Sequence, residues 1–209
     1  MPALNLSELS LLKRQAQGKP LYFSKSSELQ RQLQFIIRQK RLGLPIQSLL
    51  KNHPLLDRWI QQLEECFPPL FCPKKKLFLN LPLMSRLYFT SNHYELIEIK
   101  ANIGFVNNKI RVFEWSVRQP KVNWQDKVKL WVVANYFKID PNRLKMTIFA
   151  LHPDRRVQRI ITRSNRRSHY KVERLLKDLL VGKQAKNSRK SIRKYLELTN
   201  IDAIEEVPL

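Results

Sequence analysis

The run "LIEIKANIGF", residues 96–105, constrains the fold of this chain more than any other stretch. Ile97, Ile99, Ala101, Ile103 and Phe105 alternate with Glu98, Lys100 and Asn102. Successive side chains of a strand point to opposite faces, so a period of two predicts a strand with one buried face. Asn107 and Asn108 follow, two residues that tolerate the backbone of a tight hairpin turn. "IRVFEWSV" is then the return strand. It puts Glu114 and Ser116 on one face and Phe113, Trp115 and Val117 on the other.

Around this hairpin the chain reads as helices. "SKSSELQRQLQFIIRQKRLG" offers Ser27 as an N-cap, a face of Leu29, Leu33, Ile36 and Ile37, and a stop at Gly43. Pro45 marks a helix start in "LPIQSLL". In "PLLDRWIQQLEECF", Leu55, Leu56, Trp59, Ile60 and Leu63 recur at helical spacing. These stripes read as core. Pro68, Pro69 and Pro73 break the chain, and "CPKKKLFLNLPLMSRLYFTS" gives short extended segments. After the loop "RQPKVN", "WQDKVKLWVVANYF" predicts a helix with Val128, Trp131, Val132 and Tyr136 on one side. "KMTIFAL" predicts a further strand, and "KVERLLKDLLVG" a helix ending at Gly182. The expected architecture is mixed α/β, a small mixed sheet flanked by helices. One domain spans 1–182, with a helical segment at 1–66, a sheet core with a helix at 77–151 and a basic helical segment at 152–182. An extension follows at 183–209.

Charge narrows the function. The 209 residues include 39 Lys+Arg against 17 Asp+Glu, a formal net charge of +22. Such a field draws polyanions, and nucleic acid is the leading partner class, ahead of an anionic membrane. At 43% hydrophobic residues the chain should fold. No run has the length of a membrane span, and the N-terminal segment lacks the pattern of a signal peptide, so a cytoplasmic protein without a membrane partner is expected. Cys66 and Cys72 have no second pair to complete a zinc site and read as free thiols; His53, His93, His152 and His169 are scattered.

Basic residues concentrate near the C-terminal end. Arg155, Arg156, Arg159, Arg163, Arg166, Arg167, Lys171, Arg174, Arg189, Lys190, Arg193 and Lys194 face few acids, chiefly Asp154, Glu173 and Asp178. Guanidinium forks match phosphate oxygens two at a time, so these residues are candidates for binding nucleic acid, DNA first, through its phosphates. His169, Tyr170 and Trp124 are candidates for stacking on bases. Nothing resembles a helix-turn-helix, a zinc finger or an RNA-binding motif with paired aromatics.

The hairpin also carries a resemblance. "FIIRQKRLGLPIQSLL" with "LLDRWIQQLEECFPPLF", the strands around "ANIGF" and "RVFEWSV", and "NWQDKVKLWVVANYFKIDPNRLKMTIFAL" are similar in order and spacing to small cyanobacterial proteins of the PD-(D/E)XK nuclease superfamily. The resemblance implies a restriction-endonuclease-like core. In that family an Asp on one strand, an acid and a Lys two residues apart on the next, and a helical Gln hold a divalent metal and activate water. It implies that Asn102 stands where the family has Asp, Glu114 where it has the acid, Ser116 where it has Lys, and Gln125 at its Gln. Gln34 stands where the family has a helical His.

These departures remove charge from a site that attracts a hard cation by charge, and leave Glu114 as the metal ligand that remains. Three residues are candidates for relocated partners: Glu98 or Lys100 on the strand of Asn102, and Lys129 one turn after Gln125. The resemblance thus implies a nuclease fold that binds nucleic acid and no longer cuts, with no cofactor. Two alternatives stand beside it. One is an active nuclease using Mg²⁺ or Mn²⁺ with relocated groups. The other is a scaffold subunit whose partners are proteins or a ribonucleoprotein.

Overall fold

The computed structural model describes residues 3–18, 26–72, 76–106, 109–117 and 122–199, with backbone alone at 26–27, 106 and 183–199. The turn expected at Asn107 and Asn108, most of the loop after β4, and the tail from 200 onward lie outside the described residues. So do the side chains of Arg189, Lys190, Arg193 and Lys194.

A six-stranded mixed sheet lies between two helical layers. β1 (Leu4–Asn5) leads into α1 (Leu6–Ala16), followed by α2 (Ser26–Arg41), α3 (Gln47–Leu50) and α4 (Pro54–Cys66). Then come β2 (Leu77–Tyr88), β3 (Tyr94–Val106), β4 (Lys109–Ser116), α5 (Trp124–Tyr136), β5 (Lys145–Ala150), β6 (Gln158–Arg163) and α6 (Arg166–Thr199). β3 pairs antiparallel with β2 and β4; β4 and β5 run parallel, as the intervening α5 requires; β6 is antiparallel to β5. β1 pairs in parallel with the early part of β3.

The alternation in β3 and β4 builds two cores. Ile97, Ile99, Ala101, Ile103 and Val112 pack with α1, α5 and α6. Phe113, Trp115 and Phe149 pack with Leu33, Ile36 and Ile37 of α2 and Leu56, Trp59, Ile60 and Leu63 of α4. Both helical stripes are therefore buried. α5 is buried on more sides than its sequence suggested, including Leu130, Val133 and Ala134, because it lies between the sheet and α6; Tyr136, expected on its inner side, is exposed.

Local chemistry fixes the helix ends. Asn5 caps α1, its Oδ1 accepting from the N–H groups of Ser7 (2.9 Å) and Glu8 (3.0 Å), while Glu8 accepts from the Asn5 N–H (2.8 Å). α2 ends in a Schellman motif. Gly43 takes φ 74°, the Leu44 N–H reaches the Gln39 carbonyl (3.1 Å) and the Gly43 N–H that of Lys40 (3.0 Å).

Several expectations need correction. Gly182 does not end α6, which continues to Thr199. Its φ stays outside the left-handed region, and a glycine with helical φ costs a helix only about 1 kcal/mol. Residues 152–182 are not wholly helical, because β6 lies among them. Its Arg159 and Arg163 are exposed and disguise an outer strand of which Ile160 reaches the core. The short segments before Ser91 are one twelve-residue strand, β2, with a bulge between Phe78 and Leu81 where Asn80 has φ 53°. Pro82 fits there because β2 is an outer strand and its missing N–H breaks no ladder. Cys66 and Cys72 are free thiols, and burial pushes the Cys66 thiol up. No helix among the described residues is long and apolar enough to cross a membrane.

Candidate functional site

Glu114 sits near the C-terminal end of β4, buried, on the face that packs against α5. Across that interface Lys129 of α5 places its Nζ against Glu114 Oε2 in a close ion pair. Asp126 lies one turn before Lys129 and is also buried. Its carboxylate is engaged in capping α5. Oδ2 accepts from the Asn123 N–H (2.9 Å), and the Asp126 N–H donates to Asn123 Oδ1 (2.9 Å). Burial pushes the Asp126 carboxyl above its ordinary range. The Asn123 N–H and then Lys129 pull it down, and Glu114 pushes it up. The site is thus one ammonium between two carboxylates. Asp126 escaped the sequence reading; its signal was an acid at the third position of a helix whose N-cap is Asn123.

Register decides which other candidates join this group. Asn102 pairs with Phe113 across β3 and β4, and residues paired across a ladder share a face. Asn102 therefore lies on the far face of the sheet from Glu114, and the pairing of β3 with β4 ends at Asn102 and Phe113; Ala101, the next residue of β3, is buried in the core that contains α5. Asn102 has structural work on its own side. Its Nδ2 donates to the Phe113 carbonyl (3.2 Å) and its Oδ1 accepts from the Asn80 N–H (3.0 Å), which steadies the bulge of β2. Asn80 Nδ2 in turn donates to Gln34 Oε1 (3.3 Å). The strand period also corrects the expectation for Glu98 and Lys100: both share Asn102's face and do not approach Glu114.

Ser116 shares Glu114's face at the end of β4, and its carbonyl accepts from the Leu151 N–H (2.8 Å). Gln125 points away to α1, where its Nε2 donates to Ser10 Oγ (2.7 Å). Of the predicted set, Glu114, Ser116, Gln125 and Lys129 share this side of the sheet, and Lys129 bonds Glu114.

A hard divalent cation takes oxygens from several carboxylates and carbonyls. Here Lys129 occupies one oxygen of Glu114, Asp126 is committed to its helix, and Asn102 lies on the other face of the sheet. Among the described residues no group of three or more His, Cys, Asp or Glu side chains could hold a metal ion. As arranged, this donor set does not fit the metal that the sequence resemblance implies.

The basic residues spread widely. Arg155, Arg156, Arg159, Arg163, Arg166, Arg167, Lys171 and Arg174 are all exposed, along the segment leading into β6, along β6 itself and on the first turns of α6. Arg166 bonds Asp140 (3.2 Å). Among the stacking candidates, Tyr170 is exposed. Trp124 packs against the core with the Lys13 ammonium 4.5 Å from its ring centre. His169 lies half-buried, its ring centre 5.9 Å from that of Trp131.

Fold and site define a mixed α/β protein with a buried carboxylate–ammonium group beneath a helix. No family model matches the chain. No curated protein matches it either. The chain is distantly similar to several solved structures. The crystal structure of SSO0001 is 14% identical, with 83% of each chain covered and a TM-score of 0.38. That of a putative exonuclease from Eubacterium rectale is 9% identical, with 80% of this chain and 71% of that chain covered and a TM-score of 0.42.

Proposed function

We propose that this protein binds nucleic acid through phosphate contacts on a nuclease-type fold that has lost cleavage, and that it serves as a structural or recruiting component. The observation that carries the reading is Lys129 closing on Glu114 while Asn102 lies on the other face of the sheet. Where a nuclease needs carboxylates free to converge on a metal, this chain has Glu114 neutralised by Lys129 and Asp126 committed to its helix cap. The net charge of +22 supports the choice of partner.

The test incubates the protein with plasmid and single-stranded DNA, with and without Mg²⁺ or Mn²⁺. A gel shift that weakens as salt rises, with the DNA left intact, is expected. Absence of binding at moderate salt refutes the reading and favours a scaffold whose partners are proteins.

A second reading is favoured by the same contact. A lysine on the helix, beside the carboxylate, is also where a relocated catalytic lysine would stand. Metal-dependent cleavage that disappears in Glu114→Gln would establish that reading and overturn the first.

A further inference from the structure

A second cationic site lies where β4 and β5 begin, at the end of the sheet away from Glu114. A cleft of about 710 Å³ is lined there by Lys109, Arg111, Arg143, Lys145 and Phe105. Among the described residues no carboxylate lines it. Its charge is organised by strand pairing. Arg111 is the register partner of Lys145, and Lys145 is the register partner of Arg163. Three cations thus stand side by side on three neighbouring strands, about 4.8 Å apart from one strand to the next.

Like charges placed directly opposite each other destabilise a sheet. Nothing within the described structure offsets this. Among the described residues no carboxylate forms an ion pair with Lys109, Arg111, Lys145 or Arg163. The neighbouring acid, Asp140, bonds Arg166 (3.2 Å), and its carboxyl is held below the usual range first by the Asn142 N–H and then by Arg166 and Arg143. The crowding also acts on Lys145, whose ammonium is held below its ordinary value by Arg163 first, then burial, then Arg111 and Lys109. A bound polyanion would relieve this repulsion. Arg111 is already positioned, its Nη1 donating to the carbonyls of Ile110 (3.2 Å) and Arg143 (3.4 Å).

The wall also has an aromatic element. Phe105 is 40% exposed and meets Phe78, 47% exposed, edge-on with ring centres 6.4 Å apart. Large apolar rings beside a cationic row suit a polymer that offers phosphates and open base faces together. A single strand offers both, whereas a duplex keeps its base faces stacked inside.

We propose that this cleft binds single-stranded nucleic acid, with phosphates on Lys109, Arg111 and Lys145 and a base against Phe105. The proposal rests on the reading of the protein as a nucleic-acid binder and names the surface and the strand form.

The test measures binding of a fluorescent single-stranded oligonucleotide, and of a duplex of the same length, over a series of salt concentrations. Lys109→Gln/Lys145→Gln is compared with Arg38→Gln/Lys51→Gln, which removes equal charge from α2 and the turn after α3. The cleft variant should bind the single strand more weakly and lower the salt slope by about 1.4, two contacts at about 0.7 each. Its melting temperature should not fall, since it removes like-charge repulsion. The control pair should keep the wild-type slope. Phe105→Leu should weaken single-strand binding about tenfold and leave duplex binding unchanged. Equal losses in cleft and control variants, or a wild type that prefers duplex, would overturn the cleft proposal while leaving the broader reading standing. A wild type that binds neither form would overturn both.

Discussion

Removing the Lys129 ammonium tests the central contact most directly. The Lys129 side chain is 16% exposed and that of Glu114 10%, so water barely screens the pair. In Lys129→Met the Glu114 carboxylate stays buried beside Asp126 with no cation between them. Breaking a buried pair from one side costs about 3–5 kcal/mol, because the remaining charge is desolvated and unpaired. For a chain of this size each kcal/mol lowers the melting temperature by about 2–4 °C, so a fall of at least about 6 °C is expected. Glu114→Gln strands the ammonium instead. Its cost should be smaller, about 1–3 kcal/mol, because Asp126 still feels the Lys129 charge. The double variant Glu114→Gln/Lys129→Met removes both charges and should lie within about 1 kcal/mol of wild type. Denaturant midpoints at pH 7 for the four proteins give the coupling energy, expected at about 2 kcal/mol or more. A double variant as unstable as the sum of the two singles would refute the argument.

Asn102→Asp, which writes in the carboxylate that the sequence resemblance implies, should destabilise by about 1–3 kcal/mol in a thermal melt and give no cleavage, since it loses the bond to the Phe113 carbonyl and faces away from Glu114. Gly104→Ala would bring its Cβ to 2.6 Å from the buried Phe113 ring and 3.1 Å from Leu77. A cost of about 1–3 kcal/mol is expected, partly recovered by adding Phe113→Leu, and equal melting of variant and wild type would contradict the packing. His169 is half-buried, its Nδ1 without a hydrogen-bond partner among the described residues; burial lowers its pKa and Glu173 raises it less. The unfolded chain therefore binds this proton more readily, so the His169 contribution is complete above about pH 6.5 and is lost as pH falls through the lowered folded value. His169→Phe should flatten the fall in stability on acidification through that window, as read by urea midpoints.

The elements with strict periodicity were legible in the sequence. Ile97 to Phe105 gave β3 and its inner face, and the stripes of α2 and α4 gave one of the two cores. The Glu114–Lys129 contact was also within reach, because Lys129 follows the helix start by little more than one turn. What the sequence could not supply was register. A shift of one residue moves a side chain to the other face, and register puts Asn102, which resemblance places at the metal, on the face opposite Glu114. β6 was hidden for a different reason. Its alternation is carried by arginines, and a run of cations reads as a solvated surface until a neighbouring strand is known to lie beside it. The row of Arg111, Lys145 and Arg163 joins three separate segments, so no local window contains it. Gly43 and Gly182 teach the same lesson, since one residue type ends a helix at one site and is absorbed at the other.

Both outer margins of the sheet resist extension. On one side the bulge at Asn80 and the imino nitrogen of Pro82 interrupt β2, and on the other β6 carries the guanidinium groups of Arg159 and Arg163. A neighbouring chain seeking to add a strand would meet a kinked backbone or a fence of positive charge. A protein so guarded can crowd together, many copies side by side, without its sheets fusing into fibrils.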